Sequence, residues 1–500
     1  MDPAAPPPPA YAAAADKFRR IGVLASVQSL LDWDTATMMP RGGSDARAEQ
    51  QATLAAVAHR ELCDPAVGDV LDRALAEHLD AGQAANLRAM RRRWLHATAV
   101  PERLVEEVSR ATTACEMVWR DARAANDFAA LRPHLETVLR LVRERGQAKA
   151  DPLGVTSYEA LLDEFNPELP RSEVDRVLGD LERILPPLLQ EVLAHQGSRP
   201  APAPLPHAAP EQQHRFGKAL MAALGFDFER GRLDESRHPF MSGGGDDIRV
   251  TMRTSGEDFV SGMLAVAHET GHALYEGGLP LTWRWQPAGD AVGMAMHEGQ
   301  ALLWEMQVAR GRDFLRFVTP LAQRELGVTV SADQLIGTVQ HVRLGMIRVD
   351  ADEVTYPLHV LLRYRLETAL FSGDLQLASL PGAWSDAMHA LFGVRPANDA
   401  EGCMQDIHWM MGSFGYFPSY ALGAVAAAQL FQAAESETPS LREDLRGGDG
   451  RPLLRWLRGN VHAHGSLLST VEVMQQATGR SFDPRALEAH LRRRYLAEAT

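Results

Sequence analysis

His268, Glu269 and His272 form an H-E-x-x-H pattern, and these residue types at this spacing suit the activation of water on a divalent metal ion. In a helix, positions i and i+4 lie on one face with Cβ atoms about 5 to 6 Å apart, so both imidazoles can reach a single cation. Glu269 lies roughly 100° further round the same turn, where its carboxylate can touch a water on the metal without taking a coordination place. The bland alternative is a buried helix carrying two satisfied histidines. Val260, Leu264, His268, His272 and Glu276 share one stripe, so the imidazoles emerge from an otherwise apolar face, and buried neutral imidazole needs partners.

A catalytic zinc commonly has three protein ligands and keeps one position for water. The Gly and His that continue H-E-x-x-H in metzincins are missing, with Tyr275 and Gly278 in their places. An acidic third ligand fits better. Glu276 stands a full turn beyond His272 and would approach from the wrong side, which makes it an outer-sphere or capping residue. Glu298 is the stronger candidate, because Ala295 to Glu305 reads as a second, antiparallel helix after a loop rich in Gly, Pro and Trp. A solvated or ion-paired helix glutamate is the alternative there, and Glu305 and Asp290 are fallback ligands.

The elements that must position these groups are legible in outline. Ser255 and Asp258 resemble a capping box before the metal helix, and Gly277-Gly278 supply its stop. Asp247 to Thr254 alternates, with Ile248, Val250 and Met252 on one face and Asp247, Arg249, Thr251 and Arg253 on the other, after Gly243-Gly244-Gly245. That is a half-buried strand. As an edge beside the metal helix it could pair with a peptide backbone; a surface strand with a solvated polar face is the alternative.

Arg348 would separate an exopeptidase from an endopeptidase if it met a substrate's end, since a guanidinium fork matches a free carboxylate in two parallel hydrogen bonds. Its alternative is an ordinary helix ion pair with Asp352 at i+4. His408 and the tyrosines Tyr416 and Tyr420 can donate hydrogen bonds where negative charge develops on a carbonyl oxygen, or can pack in a Gly-rich loop. His238, before Pro239, is either a cleft residue or a turn histidine.

Several stretches together resemble the carboxypeptidase Taq family of zinc metallocarboxypeptidases. They are His268 to Glu276 (HETGHALYE), Met296 to Glu305 (MHEGQALLWE), His238-Pro239-Phe240, Asp247 to Thr251 (D-x-R-x-T), Ile347 to Asp352 (I-R-x-x-A-D) and Gly402 to Trp409 (G-x-x-Q-D-x-H-W). Leu31 to Asp34 and Met39-Pro40 resemble the family's start, so the likeness covers nearly everything after about residue 17. One departure is plain: the family's second helix usually reads HESQS, and Gly299 and Ala301 stand here for the two serines. A hydroxyl that could orient a ligand is missing, and Gly loosens the helix start.

The resemblance implies a mainly α, large helical metallopeptidase fold with a long central groove and a small β-sheet beside the H-E-x-x-H helix. It implies Zn²⁺, one ion per chain, on His268, His272 and Glu298, with Co²⁺ or Mn²⁺ also accepted by such a donor set. Glu269 is then the general base, and His408 and Tyr420 are the oxyanion donors. Arg348 binds the substrate carboxylate, with His238, Asp247, Arg249 and Tyr416 lining the cleft. The expected activity is broad-specificity release of C-terminal amino acids from peptides with a free C-terminus, by a homodimer. The rivals are an oligoendopeptidase of the same zinc group and a catalytically weak peptide-binding protein, the latter motivated by Gly299 and Ala301.

Composition agrees with a large enzyme. The 500 residues are 45% hydrophobic, ample for a core, and the net charge of -14 argues against nucleic acid or an anionic membrane as the main partner. The basic run Arg91-Arg92-Arg93 reads as a solvated helix face. Three widely spaced cysteines give neither a disulfide framework nor a cysteine metal site, and a secretory leader is not recognisable, which together point to the cytoplasm. We expect a Pro/Ala-rich disordered tail over 1–16 and a single domain over 17–500, with a helical half at about 17–195 and a metal-bearing half at about 211–500. The proline-rich stretch from Ser198 to Pro210 joins the halves, the last helical region is interrupted at Pro357, and no internal repeat or membrane-length apolar run is present.

Overall fold

The computed structural model describes residues 6–197, 202–254 and 259–497. The protein is mainly α-helical, with one small sheet. Eight helices fill the N-terminal stretch from Pro9–Thr37 to Arg171–Gly197. Their ends carry the expected chemistry: Asp80 with Gln83 and Thr156 with Glu159 form capping boxes.

The segment expected to be a disordered tail is helical from Pro9 onward. Tyr11, Ala14 and Phe18 are buried against Val67, Leu71, Leu87 and Met90. The backbone amides of Ala10 and Tyr11, left without intrahelical acceptors, donate to the Glu77 carboxylate at 2.9 and 2.8 Å. Alanine-rich composition read as low complexity is here a good helix former with one apolar stripe. Between the halves, residues 202–209 form no regular element before the helix Pro210–Leu224. The first residues of the proline-rich stretch, and the Ser255–Asp258 capping box, lie outside the described residues.

Three strands, β1 (Gly231–Glu235), β2 (Met241–Gly244) and β3 (Asp247–Met252), form a sheet in the order β1-β3-β2. β3 is therefore the central strand, not the edge the alternation suggested; β1 pairs with it in parallel and β2 antiparallel. Alternation cannot tell the two apart, because it reports which face is buried and not whether neighbours bond on both sides. Ile248, Val250 and Met252 do face the core, but Thr251 is also fully buried. Its hydroxyl accepts from the Phe240 amide at 3.0 Å and meets Ser236 Oγ at 2.7 Å, so the loop carrying His238 covers it. Gly243 adopts φ +84°, and a Cβ there would lie 2.1 Å from the Asp247 carbonyl oxygen, so the β2–β3 turn requires glycine.

The metal helix runs Phe259–Glu276 and stops at Gly277-Gly278 as expected. The second site helix, Met294–Leu302, continues into a π-helical turn over Leu303–Ala309. Small residues let the helices pack closely: a Cβ on Gly271 would lie 2.6 Å from Ala301 Cα where the two site helices meet, and one on Gly423, in the helix Pro418–Glu437, would lie 3.0 Å from the Gly299 amide. Ala301 thus sits where the two site helices cross, and Gly299 where the second of them packs on Pro418–Glu437, which gives their small size a packing reason in place of the loosened helix start. Pro357 does not interrupt a helix. It occupies the first turn of Tyr356–Ser372, where its missing N–H costs nothing. One core cluster extends from Cys115 to Tyr495. Among the described residues no helix is long and apolar enough to cross a membrane.

Candidate active site

The metal helix and the Met294–Leu302 helix bring His268, His272 and Glu298 together. His268 Nε2 and His272 Nε2 each lie 3.9 Å from Glu298 Oε2. The donor atoms all fall within 4.8 Å of one another, the only such grouping among the described residues. Tetrahedral bonds of about 2.1 Å leave ligand atoms about 3.4 Å apart, so two imidazoles and a carboxylate fit one divalent ion after a small contraction. The surrounding groups fix each ligand. His268 Nδ1 donates to Glu305 Oε2 at 3.1 Å, which keeps Nε2 free to coordinate, and Arg310 holds Glu305 Oε1 at 3.1 Å. Tyr356 Oη donates to Glu298 Oε1 at 3.2 Å. The His297 ring stacks on His272 with centroids 4.4 Å apart and is anchored by Glu276 at 3.0 Å.

Of the fallback ligands, Glu305 orients His268, while Asp290 pairs with Arg93. Glu276, read as an outer-sphere residue, acts through His297. Electrostatics agree with a cation site. Burial disfavours a charged His268, yet Glu298, Glu305 and Glu269 outweigh it and raise its pKa to about 10, so a positive charge is wanted there. Burial, with His297 and His268 beside it, drives His272 well below its ordinary value, leaving a neutral ligand. Burial also raises Glu269, the direction that suits a base working near neutrality.

A second cluster forms around Arg348, which lies in a short 3₁₀ turn, Arg348–Asp350, and not in an α-helix. The i+4 pairing with Asp352 is absent. That carboxylate accepts the backbone amides of Arg343, Val354 and Thr355 at 2.9, 2.9 and 3.0 Å. Arg348 Nε and Nη2 instead donate to Asp406 Oδ1 at 3.1 and 2.9 Å, and Arg363 Nε to Asp406 Oδ2 at 2.6 Å. Two guanidinium groups, 6% and 0% exposed, share one carboxylate. The cluster keeps one uncompensated positive charge out of water, a costly arrangement unless an anion joins it.

The Gly402–Trp409 stretch explains itself in this setting. Gln405 Oε1 accepts the Arg348 amide at 2.9 Å, Asp406 holds the guanidinium, and His408 Nε2 lies 3.3 Å from Tyr420 Oη. Trp409 Nε1 donates to Glu367 at 2.7 Å, as do Gly415 N and Tyr158 Oη. Glu367 thereby ties both ends of the loop that separates His408 from Tyr416. Burial, reinforced by the Arg348 charge, lowers His408 to about 4, so it is neutral at pH 7. Tyr420, raised to about 12 by burial, has the Arg348 guanidinium over its ring at 4.7 Å and meets the Tyr416 ring edge-on with centroids 5.2 Å apart. Tyr356 links the clusters, since it bonds Glu298 and its ring meets Tyr420 with centroids 6.1 Å apart.

His268, Glu269, His272, Glu298, Arg348, His408, Tyr416 and Tyr420 therefore belong to one assembly. His238, Asp247 and Arg249 do not join it by any hydrogen bond or ion pair among the described residues. Arg249 pairs with Asp247 at 2.9 and 3.0 Å and lies 4.2 Å over the Trp33 ring. His238 is exposed in the β1–β2 loop. Sequence reading missed Tyr356, Arg363 and Glu367. For the last two the signal was available: Arg363 and Glu367 stand four residues apart on one face of the mostly apolar helix Tyr356–Ser372, where buried charges are expensive unless they serve a site.

The sequence model of the carboxypeptidase Taq (M32) metallopeptidases matches residues 13–495. Thermostable carboxypeptidase 1 of Thermus thermophilus is 38% identical over 507 residues, covering 98% of this chain and 99% of that protein. Thermostable carboxypeptidase 1 of Pyrococcus furiosus is 32% identical over 489 residues, 96% and 97% of the two chains. Among solved structures, metallocarboxypeptidase 1 of Trypanosoma cruzi superposes with a TM-score of 0.95 at 36% identity, covering 98% of this chain and 99% of that one.

Proposed function

The chain belongs to the carboxypeptidase Taq (M32) metallopeptidases, and on that premise we propose that it removes single amino acids, with broad side-chain tolerance, from the free C-terminus of peptides using Zn²⁺. The observation that carries this reading is the buried positive charge of Arg348 and Arg363 on Asp406, joined to the metal triad through Tyr356 and Tyr420. A terminal carboxylate supplies the missing anion, and an internal peptide bond does not.

His268, His272 and Glu298 would hold the ion, which when bound would lower the pKa of water and polarise the scissile carbonyl. Glu269 takes the water's proton on its carboxylate and passes it to the leaving amine. Tyr420 donates toward the carbonyl oxygen as charge develops, with His408 as its neutral partner. Arg348 fixes the end of the chain so that only the last peptide bond meets Glu269. Tyr416 lines the pocket with its ring against those of Tyr420 and His408. His238, Asp247 and Arg249 accompany the sheet that packs on the metal helix, and we assign the upstream part of the peptide to that surface. We further propose that the enzyme works in the cytoplasm as a homodimer.

Paired peptides that differ only in a free or amidated C-terminus test the reading by mass spectrometry of the products. The expected result is stepwise loss of residues from the free acid and near-complete protection of the amide. Equal cleavage of both overturns the role of Arg348 and favours an oligoendopeptidase.

A further inference from the structure

A polar cavity of about 310 Å³ lies apart from the residues assembled above, where the first turn of the helix Arg312–Leu326 meets the helices Leu441–Arg446 and Pro484–Tyr495. Arg312, Arg316, Arg442, Arg446, Arg493 and Arg494 line it, an unusual concentration in a chain of net charge -14. Three carboxylates answer these six charges. Asp313 accepts from Arg446 at 3.0 and 2.6 Å and lies 3.7 Å from Arg442; Glu435 pairs with Arg442 and, at 3.5 Å, with Arg493; Glu353 pairs with Arg494 at 2.8 and 3.0 Å. Arg312 and Arg316 have no hydrogen-bond or ion-pair partner among the described residues.

A second observation points to a ligand. Gln307 lines the same cavity, is only 4% exposed, and its side-chain amide has no partner among the described residues. That amide faces the solvent of the cavity, and an oxyanion there accepts both its N–H and the guanidinium donors. The helix beginning at Arg312 has Gly311 as its N-cap with no side-chain acceptor, so its first amides face the same need. The walls are held in place before any ligand arrives. Arg494 Nη2 donates to the Gln307 carbonyl at 3.1 Å, and Gln340 Nε2 donates to the Arg310 carbonyl at 2.8 Å, which satisfies acceptors freed by the π-helical turn. Arg312, Gln340 and Arg494 also border a neighbouring cavity of about 460 Å³ that contains Ile336 and Val192, room for the remainder of a larger molecule.

We propose that this arginine cavity binds a phosphate group, free or as a phosphate monoester, with Arg312, Arg316 and Gln307 as its principal contacts. Asp313 stays in its ion pair with Arg446 and sets the limit on how much negative charge the site accepts.

Calorimetric titration of the full-length, metal-loaded protein with inorganic phosphate and with AMP, at constant ionic strength against chloride, tests the assignment. Saturable binding is expected, weakened about tenfold or more in R312A/R316A and unchanged in R110A/R183A, which removes two exposed, ion-paired arginines elsewhere. Tighter binding of AMP than of phosphate assigns the adjoining cavity to the rest of an ester, and equal binding assigns the site to free phosphate. Absence of saturable binding overturns the proposal. So does binding that R312A/R316A retains and R348A abolishes, because the anion then occupies the catalytic cleft. Circular dichroism of R312A/R316A, with retained hydrolytic activity, separates loss of the site from loss of the fold.

Discussion

The metal triad and the Arg348 cluster are built on opposite charge imbalances. Around His268 and His272 stand Glu269, Glu298, Glu305 and Glu276, an excess of carboxylates that calls for a cation. Around Arg348 stand Arg363 and one shared acid, Asp406, an excess of guanidinium that calls for an anion. Each imbalance would destabilise the fold if left alone in a buried place, and the ligand we propose for each would offset it. The bridge between them is a pair of tyrosines, neutral and weakly acidic, which lets two opposite fields sit side by side without cancelling. A peptide end has a matching polarity, with a carbonyl oxygen to be polarised and a carboxylate one residue further on.

Breaking the cation side should cost most. E269Q keeps the shape and leaves all three proposed ligands, so metal content is expected to hold while kcat falls by about a hundred to ten-thousandfold. Turnover within a few-fold of the parent, at equal metal content, would remove Glu269 from its role. Breaking the anion side should cost less and in a selective way. R348A leaves Asp406 paired with Arg363, a neutral corner, and kcat/KM on free-acid peptides is expected to fall about a hundredfold while residual cleavage of amidated peptides changes little. R348K is expected to recover only part of the loss, because an ammonium lacks the fork. Equal losses on acid and amide would mean that Arg348 shapes the site without reading the substrate's end.

The same comparison explains what could be read from the chain. The imidazoles of the triad are local: an i, i+4 pair inside one helix is written in five consecutive residues, and Glu298 stands in the next regular helix. The Arg348 cluster is written across 348, 363 and 406, and no spacing rule joins an arginine in a 3₁₀ turn to an acid in an irregular loop. There the local rule misled, offering Asp352 at i+4 when that carboxylate was needed by three backbone amides. β3 shows a similar limit, since alternation gave its buried face and not its central position. The helix from Pro9 is hidden from composition, because the burial of Tyr11 and Phe18 depends on helices whose positions are set elsewhere.

A smaller effect sharpens the anion side. Glu367 is fully buried and accepts three hydrogen bonds, yet burial still raises it to about 7. Its native pKa lies above the unfolded value of about 4.3, so the native state binds the extra proton between those limits. The stability from that proton is full below pH about 4, falls as pH rises, and is gone above about 7, a change of up to a few kcal/mol. E367Q should flatten this slope in thermal melts between pH 5 and 8. Because Glu367 ties Trp409 to Gly415, E367Q should also lower kcat more than it raises KM, through misplacement of His408 and Tyr420. A melting slope identical to the parent's would mean that the carboxylate stays ionised across that range.

The smallest change concerns the cation side, where the chain departs from the family's usual second helix. A Cβ on Gly299 would lie 3.2 Å from Ala426 Cβ and 3.4 Å from the Gly423 carbonyl oxygen, tighter than ordinary contact but short of a clash with rigid backbone. Ala426 must give by a few tenths of an ångström. G299S therefore weighs slight overpacking against a new hydroxyl beside Glu298, and the two are of similar size, about 1 kcal/mol each. Thermal stability is expected to shift by no more than about that amount. The rate of metal loss to a chelator is the decisive reading. If the hydroxyl orients the ligand, loss slows in G299S although stability hardly moves; if the crossing with Gly423 matters more, loss speeds up, and the small residue at 299 is what lets Glu298 reach the two histidines.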